Sequence, residues 1–291
     1  MNTQNPKVSV VIPVYNGERY LSFCLESVTH QNYSDYEIII VDNNSTDKTK
    51  DIINLFQKDD SRIRYIFEKE RSRGAARNAG ITEAKGEIIA MTDSDCVAPR
   101  DWLENIIKPI INEGEDIVMG FEEDIIKNFW TKIIQEQQQN HFELYRYGDY
   151  IRFLDTKNFA IRSEIIKKYL FDRNIKNSED FEFVLRVRDT YKIRYMPEIK
   201  VGHHHSPNLI SWAFNTFRKG YWTGKIYEKH KKNKKLVDND VMFKSKKIKD
   251  LIKFFYNILG YAIKNPIKKS VFAFITGVAW RAGIFLGSKN L

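Results

Sequence analysis

The sequence predicts an α/β fold, in which a mostly parallel sheet is flanked by helices and is followed by a helical, basic and apolar C-terminal appendage. Short apolar runs alternate with amphipathic segments of helical length from residue 8 to residue 92, which is the pattern of β-α-β units. Acidic side chains follow several of these runs directly. After residue 205 the composition changes to aromatic residues, then lysines, then long apolar stretches.

Four predicted strands alternate with three predicted helices in the first third of the chain. The strands are Val8–Val14, Glu37–Val41, Ile63–Phe67 and Glu87–Thr92. The helices are Glu18–Gln31, a segment that Ser45 caps and that contains Ile52 and Ile53, and Arg73–Ala84. Connections this short favour an open sheet in which the carboxyl ends of the strands share one edge.

The middle of the chain is less regular. Predicted helices there are Asp101–Asn112, Ile125–Leu144 and one that begins near Asn177. Predicted strands are Asp116–Phe121, Asp155–Ile161 and Ile193–Met196. We expect one large domain at 1–222 and a lysine-rich, apolar helical tail at 223–291.

The composition is that of a folded protein in a reducing compartment. Hydrophobic residues make up 42% and charged residues 29% of the 291 residues. Two cysteines, Cys24 and Cys96, are too few for a disulfide framework. No basic-then-apolar leader precedes Val8, so we expect no secretory signal.

The net charge of +9 is concentrated in a lysine-rich belt, residues 225–253, which holds eleven lysines and four acidic residues. Such a belt favours a membrane surface or nucleic acid as partner, although a solvated linker has the same composition. The apolar segments Leu251–Ile263 and Val271–Gly287 are shorter than the roughly 20 apolar residues of a membrane span, and Arg281 interrupts the second. We expect residues 225–287 to lie on the membrane interface, with packing on protein as the alternative.

Carboxylates follow two of the predicted buried strands. Asp42 ends the second strand, and Asp93 and Asp95 come directly after the fourth. Residues two apart in an extended chain point to the same side, so Asp93 and Asp95 can converge. Ligands of open α/β sheets bind at this edge, and paired carboxylates suit a divalent cation that holds phosphates. Stabilisation of turns is the simpler alternative for these residues.

Five short motifs in order resemble family 2 glycosyltransferases, which have the Rossmann-like GT-A fold. The motifs are Val8–Asn16, Val41–Asp47, Ala76–Gly80, Thr92–Asp95 and Ser178–Asp180, and the resemblance covers residues 7–205. It implies a metal-dependent, inverting glycosyltransferase of the hexosyltransferase type, whose donor is a nucleotide-diphosphate sugar, commonly a UDP-sugar.

The resemblance also implies a donor site. Asp42 would receive the nucleotide base, and Pro13 and Tyr15 would line its pocket. Asp93 and Asp95 match the metal-binding acids of the family, with Asp95 the expected direct ligand of Mg²⁺ or Mn²⁺. Tyr15 could alternatively be a core aromatic residue.

Two further residues match the chemistry of the family. Asp180 matches the base that takes the proton from the acceptor hydroxyl, and His203 matches a histidine near the metal or diphosphate. His205 would share the face of His203 in an extended segment, and a structural histidine cluster is the alternative. A helix N-terminus stabilises the Asp180 anion and weakens it as a base, which burial or Glu179 could offset.

The diphosphate contacts depart from the family pattern. Many relatives carry Asn and Gly before the Ala-Arg-Asn segment, where this chain has Glu70–Arg73. Arg73 and Arg77 are candidates on charge alone, and a surface position is the alternative for Arg77.

We therefore expect an enzyme of cell-envelope polysaccharide biosynthesis at the cytoplasmic face of the membrane, which uses a lipid-linked or envelope glycan acceptor and binds no nucleic acid. One alternative is a sugar nucleotidyltransferase. That class has a glycine-rich phosphate loop with basic residues just after the first strand, where this chain has Tyr15–Glu18. The other is a nucleic-acid-binding or membrane-scaffolding protein with a vestigial site, which the lysine belt would support.

Overall fold

The structure is a computed structural model that describes residues 7–204, 209–233 and 267–289. Its contacts divide these residues into two compact units. The first takes in most of residues 7–204, and the second holds 128–134, 175–178, 209–233 and 267–289. His205, the apolar segment 251–263 and most of the lysine-rich belt lie outside the described residues.

One sheet forms the centre of the first unit. Its strands in chain order are β1 Val8–Val14, β2 Tyr36–Asp42, β3 Ile63–Phe67, β4 Ile88–Met91, β5 Cys96–Val97, β6 Ile117–Asp124, β7 Arg146–Tyr147, β8 Tyr150–Ile151, β9 Phe159–Arg162 and β10 Ile193–His203. The helices are α1 Leu21–Thr29, α2 Thr49–Asp59, α3 Arg73–Glu83, α4 Trp102–Asn112, α5 Phe129–Tyr145, α6 Ser163–Tyr169 and α7 Glu179–Val187, with α8 Leu209–His230 and α9 Ile267–Lys289 in the second unit.

The strands follow the order β3-β2-β1-β4-β9-β6-β10-β8-β7, and β5 pairs with β10. β3, β2, β1 and β4 are mutually parallel, as predicted. β9 then runs antiparallel to both β4 and β6, so the sheet as a whole is mixed. Val14 pairs with Asp42, which places the carboxyl ends of β1 and β2 side by side.

Apolar residues on both faces explain why the parallel strands are buried. Every residue of β2 and β4 is buried, as expected for strands that helices cover on two sides. Gly80 of α3 lies so close to Val11 of β1 that a Cβ atom would not fit there. A glycine here costs helix propensity but lets helix and sheet approach closely.

Asn158 connects the antiparallel half of the sheet. Its amide nitrogen donates to the carbonyl oxygens of Phe121 and Ile199, each at 2.8 Å, and its side-chain oxygen accepts from the Trp102 indole at 2.8 Å. The side chain is 1% exposed. Because every polar atom of this buried amide has a partner, it joins β6, β10 and α4 without a desolvation penalty.

Several predicted boundaries were wrong. Helix α2 begins at Thr49, because the hydroxyl of Ser45 accepts the backbone N–H of Asn16 at 2.9 Å instead of capping a helix. β10 continues to His203 rather than ending at Met196, since pairing with β6 extends it. Short β5, β7 and β8 were not predicted, because two-residue strands carry no periodicity.

In the second unit, α8 and α9 pack through glycine. Gly220 and Gly224 face the backbone of α9, and Gly283 and Gly287 face the backbone of α8, each leaving no room for a Cβ atom. Both pairs have the four-residue spacing that lets two helix backbones touch, as in membrane helix pairs. Phe272 packs with Ile133, Ile134 and Trp212 in a small apolar cluster of this unit.

Helix α9 contains an apolar segment, Val271–Ser288, that is long and apolar enough to cross a membrane by length and composition, with a mean hydropathy of 1.5. By this measure the segment is longer and more apolar than expected from the sequence, and its place on a membrane surface stays a prediction. Arg281 does not interrupt the helix, since its guanidinium donates to the carbonyl oxygen of Gly277 at 3.1 Å. Only 28% of the segment is buried. Residues 222 and 223, the predicted boundary of the tail, lie within α8.

Candidate active site

The loops after β1 and β2 are joined at the carboxyl edge of the sheet. The Asn16 amide oxygen accepts the backbone N–H of Thr46 at 2.9 Å, and the Thr49 hydroxyl accepts the N–H of Gly17 at 2.8 Å. Asn16 adopts a positive φ of 49°, which asparagine tolerates better than most residues. These bonds hold the predicted base pocket in one conformation.

Asp42 lies at the floor of this region and is 3% exposed. Its carboxylate accepts the backbone N–H of Ser45 at 2.9 Å and the hydroxyl of Tyr65 at 3.1 Å. Burial and the Asp42 charge raise the pKa of Tyr65 to about 12, so the phenol stays a donor. Asp42 therefore stabilises the turn, as in the simpler alternative, and it also lies at the edge where open α/β sheets generally bind their ligands.

The residues predicted to line the base pocket differ in exposure. Pro13 is half-buried on β1, whereas the ring of Tyr15 is 48% exposed. Tyr15 is therefore not a core aromatic residue. The guanidinium of Arg71 lies over its ring, 4.9 Å from the centroid. Such a cation–π contact fixes one face of the phenol ring and leaves the ring as a flat surface beside the loops.

Arg77 connects two acidic segments that are far apart in the chain. It is 3% exposed, and its two terminal nitrogens contact Asp93, at 3.1 Å, and Glu179. The alternative of a surface position is therefore wrong. Because both terminal nitrogens are engaged, Arg77 holds the loop after β4 against the start of α7. Arg73, by contrast, is exposed in the first turn of α3.

Asp180 follows Glu179 and is half-buried. Burial, then the charges of Glu179 and Asp155, raise the pKa of the Asp180 carboxyl to about 6, against the lowering effect of Arg77. The expected weakening of this base by the helix N-terminus is thus more than offset. A carboxylate with this pKa is ionised at neutral pH and still accepts a proton readily.

His203 lies between two carboxylates. Its Nε2 is 3.3 Å from Asp95 Oδ2, and its Nδ1 is 3.1 Å from Glu122 Oε2. Burial lowers the pKa of His203, but the bonds and charges of Asp95 and Glu122 raise it to about 10. Burial raises the pKa of Asp95, but the hydrogen bond and charge of His203 and the charge of Lys157 together outweigh it and leave that pKa below its usual value.

Asp95 and His203 are part of a group that could hold a metal ion, together with Cys96, with ligand atoms within 4.8 Å of one another. Burial, and then the charges of Asp95 and Asp93, raise the pKa of the Cys96 thiol well above its usual value, so it remains protonated and is a poor ligand. A carboxylate suits Mg²⁺ or Mn²⁺, which complete their shells with phosphate oxygens and water, and an imidazole suits the transition metal Mn²⁺ better than Mg²⁺. The metal prediction therefore fits the residues present.

Sequence reasoning missed two residues of this site. Glu122 is 2% exposed beside His203, and the ammonium of Lys157 is 3.1 Å from Glu122 and 2.8 Å from Asp155. Lys157 was assigned to the predicted strand Asp155–Ile161, whereas the observed strand β9 begins at Phe159. The sequence feature that could have identified Glu122 is the run of three acidic residues, 122–124, at the end of β6. Acidic side chains are rarely buried unless they are paired, so such a run at the end of a buried strand indicates partners nearby.

The mixed sheet flanked by helices has the GT-A fold, and comparisons with known proteins show that the protein is a glycosyltransferase. The chain belongs to glycosyl transferase family 2, whose profile matches residues 9–170. Glycosyltransferase AglE of Haloferax volcanii is 30% identical over 225 residues, which cover 76% of this chain and 74% of AglE.

Two solved structures share the fold. Mannosyltransferase PcManGT from Pyrobaculum calidifontis, in complex with GDP-Man and Mn²⁺, matches with a TM-score of 0.68 at 17% identity, over 98% of this chain and 85% of PcManGT. S. aureus TarS 1–349 in complex with UDP matches with a TM-score of 0.56 at 15% identity, over 97% of this chain and 90% of that one. The chain spans 55% of a longer TarS chain. At these identities the structures establish the fold alone.

The ion pairs of Arg77 predict a test of its role. Arg77→Met leaves Glu179 buried without its cation, so we expect the free energy of unfolding to fall by about 3–5 kcal/mol. Arg73→Met, the matched control on the exposed side of the same helix, should change it by less than about 0.5 kcal/mol. Urea unfolding followed by circular dichroism measures both, and equal effects of the two substitutions would contradict the assignment.

Proposed function

We propose that the protein is a metal-dependent, inverting glycosyltransferase that takes a sugar from a nucleotide-diphosphate donor, with a UDP-sugar as first candidate, and transfers it to a lipid-linked or cell-envelope glycan. The observation that carries the proposal is that two groups of ion pairs lie at one end of the sheet. Arg77 connects Asp93 to the Glu179–Asp180 segment, and His203 contacts Asp95 beside it. Family membership supports transfer over both alternatives drawn from the sequence.

In this proposal the donor lies along the carboxyl ends of β1, β2 and β4. Asp42 receives the base, Pro13 and Tyr15 line its pocket, and exposed Arg73 replaces Arg77 as the candidate phosphate contact. Two nucleotides are candidates for the donor, because TarS was solved with UDP and PcManGT with GDP-Man. UDP remains the first candidate because a carboxylate at the position of Asp42 can accept the ring N–H of uracil.

Asp95 and His203 would hold the divalent ion, whereas Asp93, whose carboxylate pairs with Arg77, is not in the group whose ligand atoms lie within 4.8 Å of one another. When bound, such an ion supplies positive charge near the diphosphate. Asp95 offers a carboxylate oxygen and His203 offers Nε2, the ring nitrogen that faces Asp95. The surrounding protein contributes Lys157, whose ammonium offsets part of the local negative charge.

Asp180 is the proposed base. Its carboxylate takes the proton from the acceptor hydroxyl, whose oxygen forms the new bond to the anomeric carbon as the bond to the diphosphate breaks. Attack from the face opposite the leaving nucleotide inverts that carbon. The pKa of about 6 supports this role, since it places Asp180 within reach of both protonation states near neutral pH.

We also propose that the second unit is a membrane-binding appendage and that the protein works peripherally at the cytoplasmic face. Helix α9 exposes Phe274, Phe285 and Leu286 at 40%, 56% and 44%. Its glycine contacts with α8 hold the two helices by backbone packing, and the exposed area of these large apolar side chains suits contact with lipid. The lysine-rich belt adds attraction to anionic headgroups.

Metal-dependent nucleotide binding tests the core of the proposal. We expect calorimetry with UDP to show binding that requires Mn²⁺ or Mg²⁺ and that weakens at least tenfold, about 1.4 kcal/mol, in Asp95→Asn. Asp51→Asn, an exposed acid on α2, is the matched control and should bind like the native protein. GDP in place of UDP identifies the base. Binding that is unaffected by metal removal and by Asp95→Asn would contradict the proposed site.

The proposed base predicts both a mutant phenotype and a pH profile. Asp180→Asn should keep donor binding and lose transfer by a factor of about 10²–10⁴. The native rate should fall about tenfold per pH unit below pH 6, because the raised pKa of about 6 means that the active carboxylate is lost as pH falls through it. Release of the nucleotide from a donor panel measures both. Asp189→Asn, just beyond α7, is the control, and full transfer by Asp180→Asn would remove this residue from the mechanism.

The appendage predicts lipid binding. We expect the full chain to float with vesicles of phosphatidylcholine and phosphatidylglycerol, and the double variant Phe274→Asp, Phe285→Asp to lose most of that binding. Leu55→Asp, a substitution of an equally exposed apolar residue of α2 at 59%, is the control and should float like the native chain. A native chain that stays unbound, or a double variant that floats normally, would refute the membrane proposal.

A further inference from the structure

A buried carboxylate lies behind the histidine of the proposed metal site. Glu122, on β6, is 2% exposed and contacts His203 on the ring edge opposite to Asp95. We propose that Glu122 is a positioning residue, which holds the Nδ1 proton of His203 so that Nε2 is presented to a divalent cation beside Asp95. This inference rests on the proposed function, because it assigns a role at the same metal site.

The two ring nitrogens of His203 have separate partners. Nδ1 is 3.1 Å from Glu122 Oε2, and Nε2 is 3.3 Å from Asp95 Oδ2. Both partners are carboxylates, which can only accept, so without a metal both ring nitrogens carry a proton. A divalent cation beside Asp95 would displace the proton of Nε2, whereas the contact with Glu122 would keep the proton of Nδ1. Imidazole then binds a metal through the lone pair of Nε2, which is the nitrogen that faces Asp95. The tautomer needed for metal binding is therefore the one that Glu122 selects.

The strand pairing explains why this contact is fixed. β6 and β10 are parallel, with Glu122 opposite Val201 and Asp124 opposite His203. Residues two apart along a strand share a face, so the side chains of Glu122 and His203 lie on the same side of the sheet. The backbones of both strands are paired here, so the main remaining motion of His203 is rotation of its ring. The contact with Glu122 restricts that rotation.

Glu122 is itself held in place. Gln138, on α5, donates to its Oε1, and the Lys157 ammonium lies 3.1 Å from Oε2. Lys157 in turn contacts Asp155 at 2.8 Å. A buried carboxylate destabilises the fold unless it is paired and hydrogen-bonded. These partners therefore stabilise the charge of Glu122 at its buried position. A rigid Glu122 can orient His203, whereas a mobile one could not.

A purely structural role for Glu122 makes a different prediction. If Glu122 only neutralises Lys157, its replacement lowers stability and leaves metal affinity unchanged. If it positions His203, metal affinity falls. Glu122→Gln separates these roles because it keeps the shape but has a single acceptor oxygen for Gln138, Lys157 and His203. An amide N–H facing Nδ1 favours the opposite tautomer, in which Nε2 carries the proton and cannot bind a metal.

The experiment is a Mn²⁺ titration of the full chain, alone and with UDP, followed by the electron paramagnetic resonance signal of free Mn²⁺. We expect Glu122→Gln to bind Mn²⁺ about 10–100-fold more weakly than the native chain. Glu123→Gln is the matched control, because Glu123 is the next residue of β6 and pairs with Lys127 on the surface. It should change the affinity less than about twofold, as a surface substitution does.

A second measurement uses the native protein and does not depend on the variant folding. With Mg²⁺ and UDP bound, ¹⁵N spectra of the imidazole groups should show His203 protonated at Nδ1 and not at Nε2. Protonation at Nε2, or unchanged Mn²⁺ affinity in folded Glu122→Gln, would overturn the role of Glu122. If Asp95→Asn retains Mn²⁺ affinity, the proposed metal site itself is wrong, so the two failures are distinguishable.

Discussion

The buried ion pairs of Arg77 are the interaction on which the candidate site depends. Arg77 and Glu179 are 102 residues apart in sequence, yet the guanidinium contacts this carboxylate and that of Asp93 at once. Glu179 is buried and Asp93 is half-buried, so an unpaired charge at Glu179 would be strongly destabilising, and one planar cation between the two carboxylates offsets that cost. The same contact brings Asp180 to the edge of the sheet where Asp93 and Asp95 follow β4. The geometry of the acids is thus a consequence of one side chain of α3.

Charge balance is the second constraint on this cleft. Carboxylates outnumber the cations Arg77, Lys157 and His203 among the groups described around it. The excess explains why the pKa of Asp180 is raised to about 6 and why His203 holds protons strongly enough for a pKa of about 10. An additional cation at such a place gains electrostatic energy, which is the physical basis of the proposed metal dependence.

The second unit follows a different packing principle from the first. The strands of the sheet pack through branched apolar side chains such as Ile38, Ile40 and Ile89, all of which are fully buried. Helices α8 and α9 touch instead through the glycines Gly220 and Gly287, whose surroundings leave no space for a side chain. Packing through small residues suits an environment that offers no hydrophobic driving force between helices. This contrast within one chain supports different surroundings for the two units.

The sequence by itself determined the parallel strands, the order of the motifs and the acids at the strand ends, because each depends on local periodicity and on residues adjacent in the chain. Only the tertiary structure decided which side chains meet. The pairing of Glu122 with His203, the burial of Arg77 and the continuation of β10 to His203 all depend on contacts between distant segments. Such contacts leave no pattern in a single sequence, since nothing in the spacing of β6 and β10 specifies their register.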